Sequence, residues 1–293
     1  MISSYSNSNK SALIVEGGAM RSVFSAGLLD GFLARQFNPF DFYIGVSAGA
    51  YNLTTYLAGQ SGLGLQIYCD LATHRQFISY PRFLRGGHLL DLDWLSHAIA
   101  SEYMLDTVAL FEHGKPLYVC VTNVGTGQAN YIAITPEIFE RVIKASTALP
   151  LIYRDFPLVN NSPMTDGGVA DGIPIAEAIR RGAKRILVVR SRHYHYAKKD
   201  TFWHKTIRWK LRNHDALVKT LRERIIRFEK AIQIIRQPPP GVSVLEICPP
   251  KEFNLGRFCR NRKRLEHGYV IGLQMAGKAI QRWDTLDEGH NTL

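Results

Sequence analysis

The stretch FYIGVSAGAYNL, residues 42–53, decides the fold. Phe42–Val46 is a short apolar run of strand character. At Ser47 the pattern changes, and small residues open a helix that reaches toward Leu57. Gly45-Val46-Ser47-Ala48-Gly49 is thus a G-x-S-x-G sequence at a strand-to-helix junction. A serine on such a sharp turn needs small neighbours, and the turn exposes its Oγ while the free N–H groups of the next helix face it.

Upstream, SALIVE (residues 11–16) reads as a buried strand ending in the Gly17-Gly18 turn. Phe24, Leu28, Leu29, Phe32 and Leu33 recur at helical spacing after it, and Asn38-Pro39 closes that helix. Downstream, residues 116–124 and 130–134 read as two strands joined by a turn around Gly125-Thr126-Gly127. A helix over 136–147 has Pro136 at its start, where a missing N–H costs nothing. A helix over 174–181 stops at Gly182, RILVVR (185–190) is suited to a sheet interior, and a last strand (242–247) and helix (267–283) follow. Such alternation predicts an α/β fold with a largely parallel central sheet.

The chain has 293 residues, 46% of them hydrophobic and 21% charged, the composition of a globular protein with a sizeable core. The first residues, MISSYSNSNK, lack the apolar centre of a secretory signal, and no window reaches the roughly 18 apolar residues of a membrane span. A cytoplasmic location is therefore expected, with peripheral contact at the inner membrane face as a further option. Cys69, Cys120, Cys248 and Cys259 form no C-x-x-C pair and are read as reduced thiols. No histidine spacing signals a metal, and neither metal nor organic cofactor is expected.

The net charge of +11 is localised. Residues 198–236 hold twelve Lys or Arg against four acids, and residues 251–264 hold six against one. Within them Leu217, Leu221, Ile225, Phe228, Ile232 and Ile235 mark one face of a helix whose other face carries Lys219, Arg222, Arg224, Arg227 and Lys230. Packing that apolar face on the core beneath a solvated charged face is the simpler reading. The alternative is attachment to an anionic partner, a phospholipid surface before nucleic acid.

Two further elements complete a possible acyl-transfer site. The loop of Gly17, Gly18 and Ala19 is suited to aim backbone amides at a developing oxyanion. Asp166 in Asp166-Gly167-Gly168 is by itself a turn signal, but beside a serine it becomes a candidate base. A histidine base remains the weaker option, with His195, His204, His214 and His267 as candidates.

In order, GGAMRS (17–22), GVSAG (45–49), ASTALP (145–150) and DGG (166–168) resemble the motifs of the patatin-like phospholipase family. The resemblance covers residues 16–174 and fails beyond about residue 192. It implies a three-layer α/β/α fold with a patatin-like core over residues 11–192; the basic helical region over 193–293, with its last strand and helix, is read apart from the resemblance and is expected to pack on the same domain. The resemblance also implies cleavage of fatty-acyl esters, as a phospholipase or esterase, by a Ser-Asp dyad without histidine. Ser47 matches the nucleophile, Asp166 the dyad aspartate, and Gly17, Gly18 and Ala19 the oxyanion loop. Arg21 matches the loop arginine, which would brace the loop or meet an anionic head group. The departures are Ala19 for the family's third glycine and Ser22 for the glycine after the arginine. Alanine still offers its N–H there if its φ is negative. The rival reading is a catalytically weak hydrolase-fold protein that binds membrane or nucleic acid through its basic region.

Overall fold

The computed structural model describes residues 9–200 and 202–286, without the side chains of residues 202–204. Trp203 and His204, the latter a candidate base above, therefore have side chains outside the described residues. The chain begins with β1 (Lys10–Val15), a one-turn 3₁₀ helix (Ala19–Ser22), α1 (Val23–Leu33), β2 (Phe42–Val46) and α2 (Ala48–Leu57). Residues 58–115, where no periodic element is read from the sequence, form short helices: α3 (Leu63–Gln66) running into a π-helical turn, α4 (Tyr80–Leu84), α5 (Leu92–Ser101) and α6 (Thr107–Glu112). β3 (Leu117–Asn123), β4 (Ala129–Ala133), α7 (Phe139–Thr147), β5 (Leu158–Val159) and β6 (Ser162–Asp166) follow. Then come α8 (Ile175–Arg180), β7 (Ala183–Val189), α9 (Phe202–Lys210), α10 (Asp215–Arg236), β8 (Ser243–Ile247) and α11 (Arg262–Asp284).

The sheet is mixed, with a parallel centre. β3, β2, β1, β7 and β8 run parallel in that order, and β4, β5 and β6 are joined antiparallel at the β3 side. Alternate residues of each strand supply two separate cores. Leu13, Val15, Leu187 and Val189 pack toward α1, α2 and α11 on one face, whereas Ala12, Ile14, Ile186 and Val188 pack toward α8 and α10 on the other. Burial on both faces is why these strands read as unbroken apolar runs.

Several expectations need adjustment, among them the last helix, which begins at Arg262, after the Asn261 cap, and not at residue 267. The helix read from Pro136 begins at Phe139, because the Thr135 carbonyl first accepts the N–H groups of Ile138 and Phe139 in a turn. The segment before Asp166, NNSPMT (160–165), is rich in turn residues yet contains the unforeseen strand β6, in which Pro163 interrupts the usual strand composition.

Residues beyond 193 are woven into this sheet. β8 extends it beside β7, and α11 packs along α1. On α10, Leu217, Leu221, Phe228 and Ile235 are buried, and Lys219, Arg222 and Lys230 are exposed. Arg224 and Arg227 are half-buried, which departs from a wholly solvated charged face. All four cysteines are free, Cys69 and Cys120 buried and the other two half-buried. Among the described residues no helix is long and apolar enough to cross a membrane, and no group of His, Cys, Asp or Glu could hold a metal ion.

Candidate active site

Ser47 sits at the point where β2 turns into α2, with φ 53° and ψ −129°. A non-glycine residue there bears strain of about 1–3 kcal/mol, which the surroundings must enforce. They do so through α7: the Ser47 N–H donates to Ser146 Oγ (2.8 Å), and that hydroxyl donates to the Cys120 carbonyl (2.6 Å) on β3.

Asp166 reaches the same place by strand register. β4 covers one edge of β3 from Tyr118 to Thr122, so β2 and β6 share the other edge. β2 ends with Val46 opposite Cys120, and β6 ends with Asp166 opposite Val121, the very next residue. The two strands therefore run toward each other and deliver Ser47 and Asp166 to one point. The Asp166 N–H donates to the Ala148 carbonyl (3.0 Å), so residues 146 and 148 of one segment hold both side chains' backbones.

The Asp166 carboxyl is buried, with Oδ1 accepting the Gly168 N–H (2.7 Å). Burial raises its pKa above the ordinary aspartate value, and the Ser47 hydroxyl, the Gly168 N–H, Arg257 and Lys198 offset this only in part. Oδ2 completes no hydrogen bond among the described residues. The Ser47 hydroxyl thus interacts with the carboxyl without ideal hydrogen-bond geometry, as is common before a substrate is bound.

The loop after β1 passes directly over the serine. A Cβ on Gly17 would lie 2.8 Å from Ser47 Cβ, so no side chain fits there. The N–H groups of Gly17, Gly18 and Ala19 meet no acceptor among the described residues. With φ 49°, Ala19 does not meet the condition of a negative φ. It keeps its N–H at the cost of a left-handed backbone, roughly 1–2 kcal/mol for a residue with a Cβ. At the loop's start, Glu16 accepts from Arg190 Nε (3.1 Å) and the Ser191 N–H (2.7 Å). Burial would raise its pKa, but these donors outweigh it and hold the carboxyl below its usual value.

These groups line a cleft of about 760 Å³, a volume usual for small-molecule sites. Glu16, Gly17, Gly18, Ala19, Ser47 and Asp166 belong to it, as do the apolar residues Leu149, Ile152, Leu221 and Phe258. Arg21 also lines it, only 4% exposed, and its Nε and Nη1 meet no hydrogen-bond partner among the described residues. Of the candidate histidines His195 borders the cleft, His214 packs edge-on against Phe156, and His267 is exposed on α11. None of them is among the groups acting on Asp166.

The family model of the patatin-like phospholipases matches residues 13–179, more than half of the chain. The chain belongs to the patatin-like phospholipase family. It is thereby placed in a family of lipid hydrolases. A second model, a domain of unknown function (DUF6363), matches residues 214–287. The protein YjjU of Escherichia coli (strain K12), described as uncharacterized, is 37% identical over 269 residues, covering 89% of this chain and 74% of its own. The crystal structure of VipD from Legionella pneumophila is similar with a TM-score of 0.44 at 12% identity, covering 95% of this chain and 67% of that one.

Several residues that hold or surround the site escaped the sequence reading, the first two of them buried behind the cleft rather than lining it. Ser146 and Ala148 lie in ASTALP, a motif whose resemblance was visible but whose bonds to Ser47 and Asp166 were not. Arg192, Lys198, Arg224 and Arg257 line the cleft itself. Their only sequence signal was the concentration of positive charge in the second half of the chain.

Proposed function

We propose that the protein is a serine-dependent lipid acyl hydrolase in which Ser47 is the nucleophile and Asp166 its base. The observation that carries this reading is the meeting of a strained, cleft-lining serine with a buried carboxyl at the ends of β2 and β6. Asp166 takes the Ser47 proton as Oγ attacks the ester carbonyl. The amides of Gly17, Gly18 and Ala19 receive the oxyanion, together with the N-terminus of α2. The alcohol leaves with the proton held by Asp166, and Ser47 keeps the acyl group. Water, deprotonated by Asp166, then attacks that ester and releases the fatty acid, and the proton returns to Ser47. The apolar part of the cleft supports an acyl chain as the group transferred.

Hydrolysis of p-nitrophenyl butyrate and labelling by a fluorophosphonate test this reading. Ser47→Ala is expected to abolish labelling, and Ser47→Ala and Asp166→Asn each to lower kcat by roughly a thousandfold or more. A base works only when ionised, and burial raises the Asp166 pKa. The rate should therefore fall, as pH is lowered, through an apparent pKa above the free aspartate value of about 3.9. Full activity of Ser47→Ala would end the proposal.

A further inference from the structure

The cleft carries more positive charge than ester hydrolysis requires. Arg21, Arg192, Lys198, Lys199, Arg224 and Arg257 line it, against the acids Glu16 and Asp166. Glu16 is already engaged by the fully buried Arg190 and the Ser191 N–H, and Asp166 is the proposed base. Arg21 Nε and Nη1, Arg192 Nε and Arg224 Nε are buried and meet no hydrogen-bond partner among the described residues. Buried donors of this kind ordinarily find acceptors, so their convergence on one cleft marks a site for an anion that brings acceptors with it.

The mutual effects of these groups agree. Burial, then Arg257 and Arg192, push the Arg21 pKa down to about 9. Burial and Arg257 likewise push Arg224 down to about 10. Lys198 is partly exposed along its length, but its ammonium lies over the Phe228 ring, and burial with Arg224 brings it to about 7. Cations that depress one another in this way are relieved by a bound anion.

Two of these residues come from the segment whose function is unassigned. Arg224 is on α10 and Arg257 is in the loop between β8 and α11, both within residues 214–287. That loop also accepts the Met20 N–H through the Arg257 carbonyl (3.3 Å), which ties it to the oxyanion loop.

Resting on the reading of Ser47 as nucleophile, we propose that residues 214–287 form the recognition half of the cleft. Arg224 and Arg257, with Arg21, Arg192 and Lys198, hold the phosphate of an acyl ester whose carbonyl lies at Ser47, and phosphomonoester substrates are selected over zwitterionic or uncharged ones. A phosphomonoester offers three oxygens and close to two negative charges to these guanidinium forks. A choline head would need an acid or an aromatic cage. The acids are engaged, and the Tyr196 ring is covered by Arg192 at 4.7 Å.

The test compares 1-octanoyl glycerol 3-phosphate, 1-octanoyl glycerophosphocholine and monooctanoylglycerol, with p-nitrophenyl butyrate as an ester without a head group. The expected result is a kcat/KM at least tenfold higher for the phosphomonoester than for the other two octanoyl esters, with competitive inhibition by inorganic phosphate. In Arg224→Gln/Arg257→Gln this preference should fall by tenfold or more. Arg222→Gln, an exposed cation of the same helix, should retain it. Equal rates on the three octanoyl esters, with Ser47-dependent hydrolysis of p-nitrophenyl butyrate, overturn the inference and leave the proposed function standing. Inhibition by inorganic phosphate without the preference means a site for free phosphate and overturns the head-group assignment. If no ester is hydrolysed, the proposed function and the substrate fall together. Calorimetric titration with inorganic phosphate then decides the anion site, which is wrong if wild type fails to bind and right if binding is lost only in the double variant.

Discussion

Ser146 bridges two backbones, accepting from the Ser47 N–H and donating to the Cys120 carbonyl. Ser146→Ala leaves a buried donor without its acceptor, a loss of about 1–3 kcal/mol. It also frees the strained serine backbone, and small displacements at a nucleophile can cost up to about a hundredfold in rate. Urea unfolding and esterase kinetics should show both losses, and a variant with unchanged stability and kcat would refute the bracing role. At this scale the sequence was informative unevenly. Ser47 was legible locally, since strand, small residues and helix all flank it in the chain. Asp166 was legible only through the order of the motifs. What brings it to Ser47 is the end-to-end meeting of β2 and β6 on β3, a relation between distant segments that no local pattern encodes. For Ala19, residue type did not report the backbone angle.

Helices α1 and α11 approach almost backbone to backbone. A Cβ on Gly272 would lie 2.0 Å from the Phe24 carbonyl oxygen, and one on Gly27 equally close to that of Tyr269. Tyr269 also donates to the buried Asp30 on α1 (2.6 Å). Gly272→Val should force the helices apart at a cost of about 1–3 kcal/mol or more, seen as a lower urea midpoint, and an unchanged midpoint would contradict this packing. Elements with a clear period, such as α1, β7 and α10, were readable from sequence because their buried faces repeat along the chain. β6 was not, because it has five residues including Pro163 and gains its strand conformation by pairing with β3. The short helices between α2 and β3 hold too few turns for a period to emerge.

Across the whole molecule, residues 214–287 have an architectural part that does not depend on the proposed anion site. They supply strand β8, which covers β7, and helix α11, which covers α1. A chain ending at residue 213 would expose the apolar surfaces of both, and it should lose its cooperative thermal transition in near-ultraviolet circular dichroism. A sharp melt like that of the intact chain would show that these residues are dispensable to the fold. Their charge was evident in the sequence, but its direction was not. Arg224 follows Leu221 and precedes Phe228 at helical spacing, which locates the apolar stripe without revealing that a cleft borders it. One consequence concerns synthesis. The strands bearing Ser47 and Asp166 leave the ribosome well before β8, Arg257 and α11, and at about 5–20 residues per second the interval is on the order of ten seconds. A nascent chain would thus carry Ser47 before its cleft is walled, so the hydrolysis proposed above should arise only once translation has passed α11.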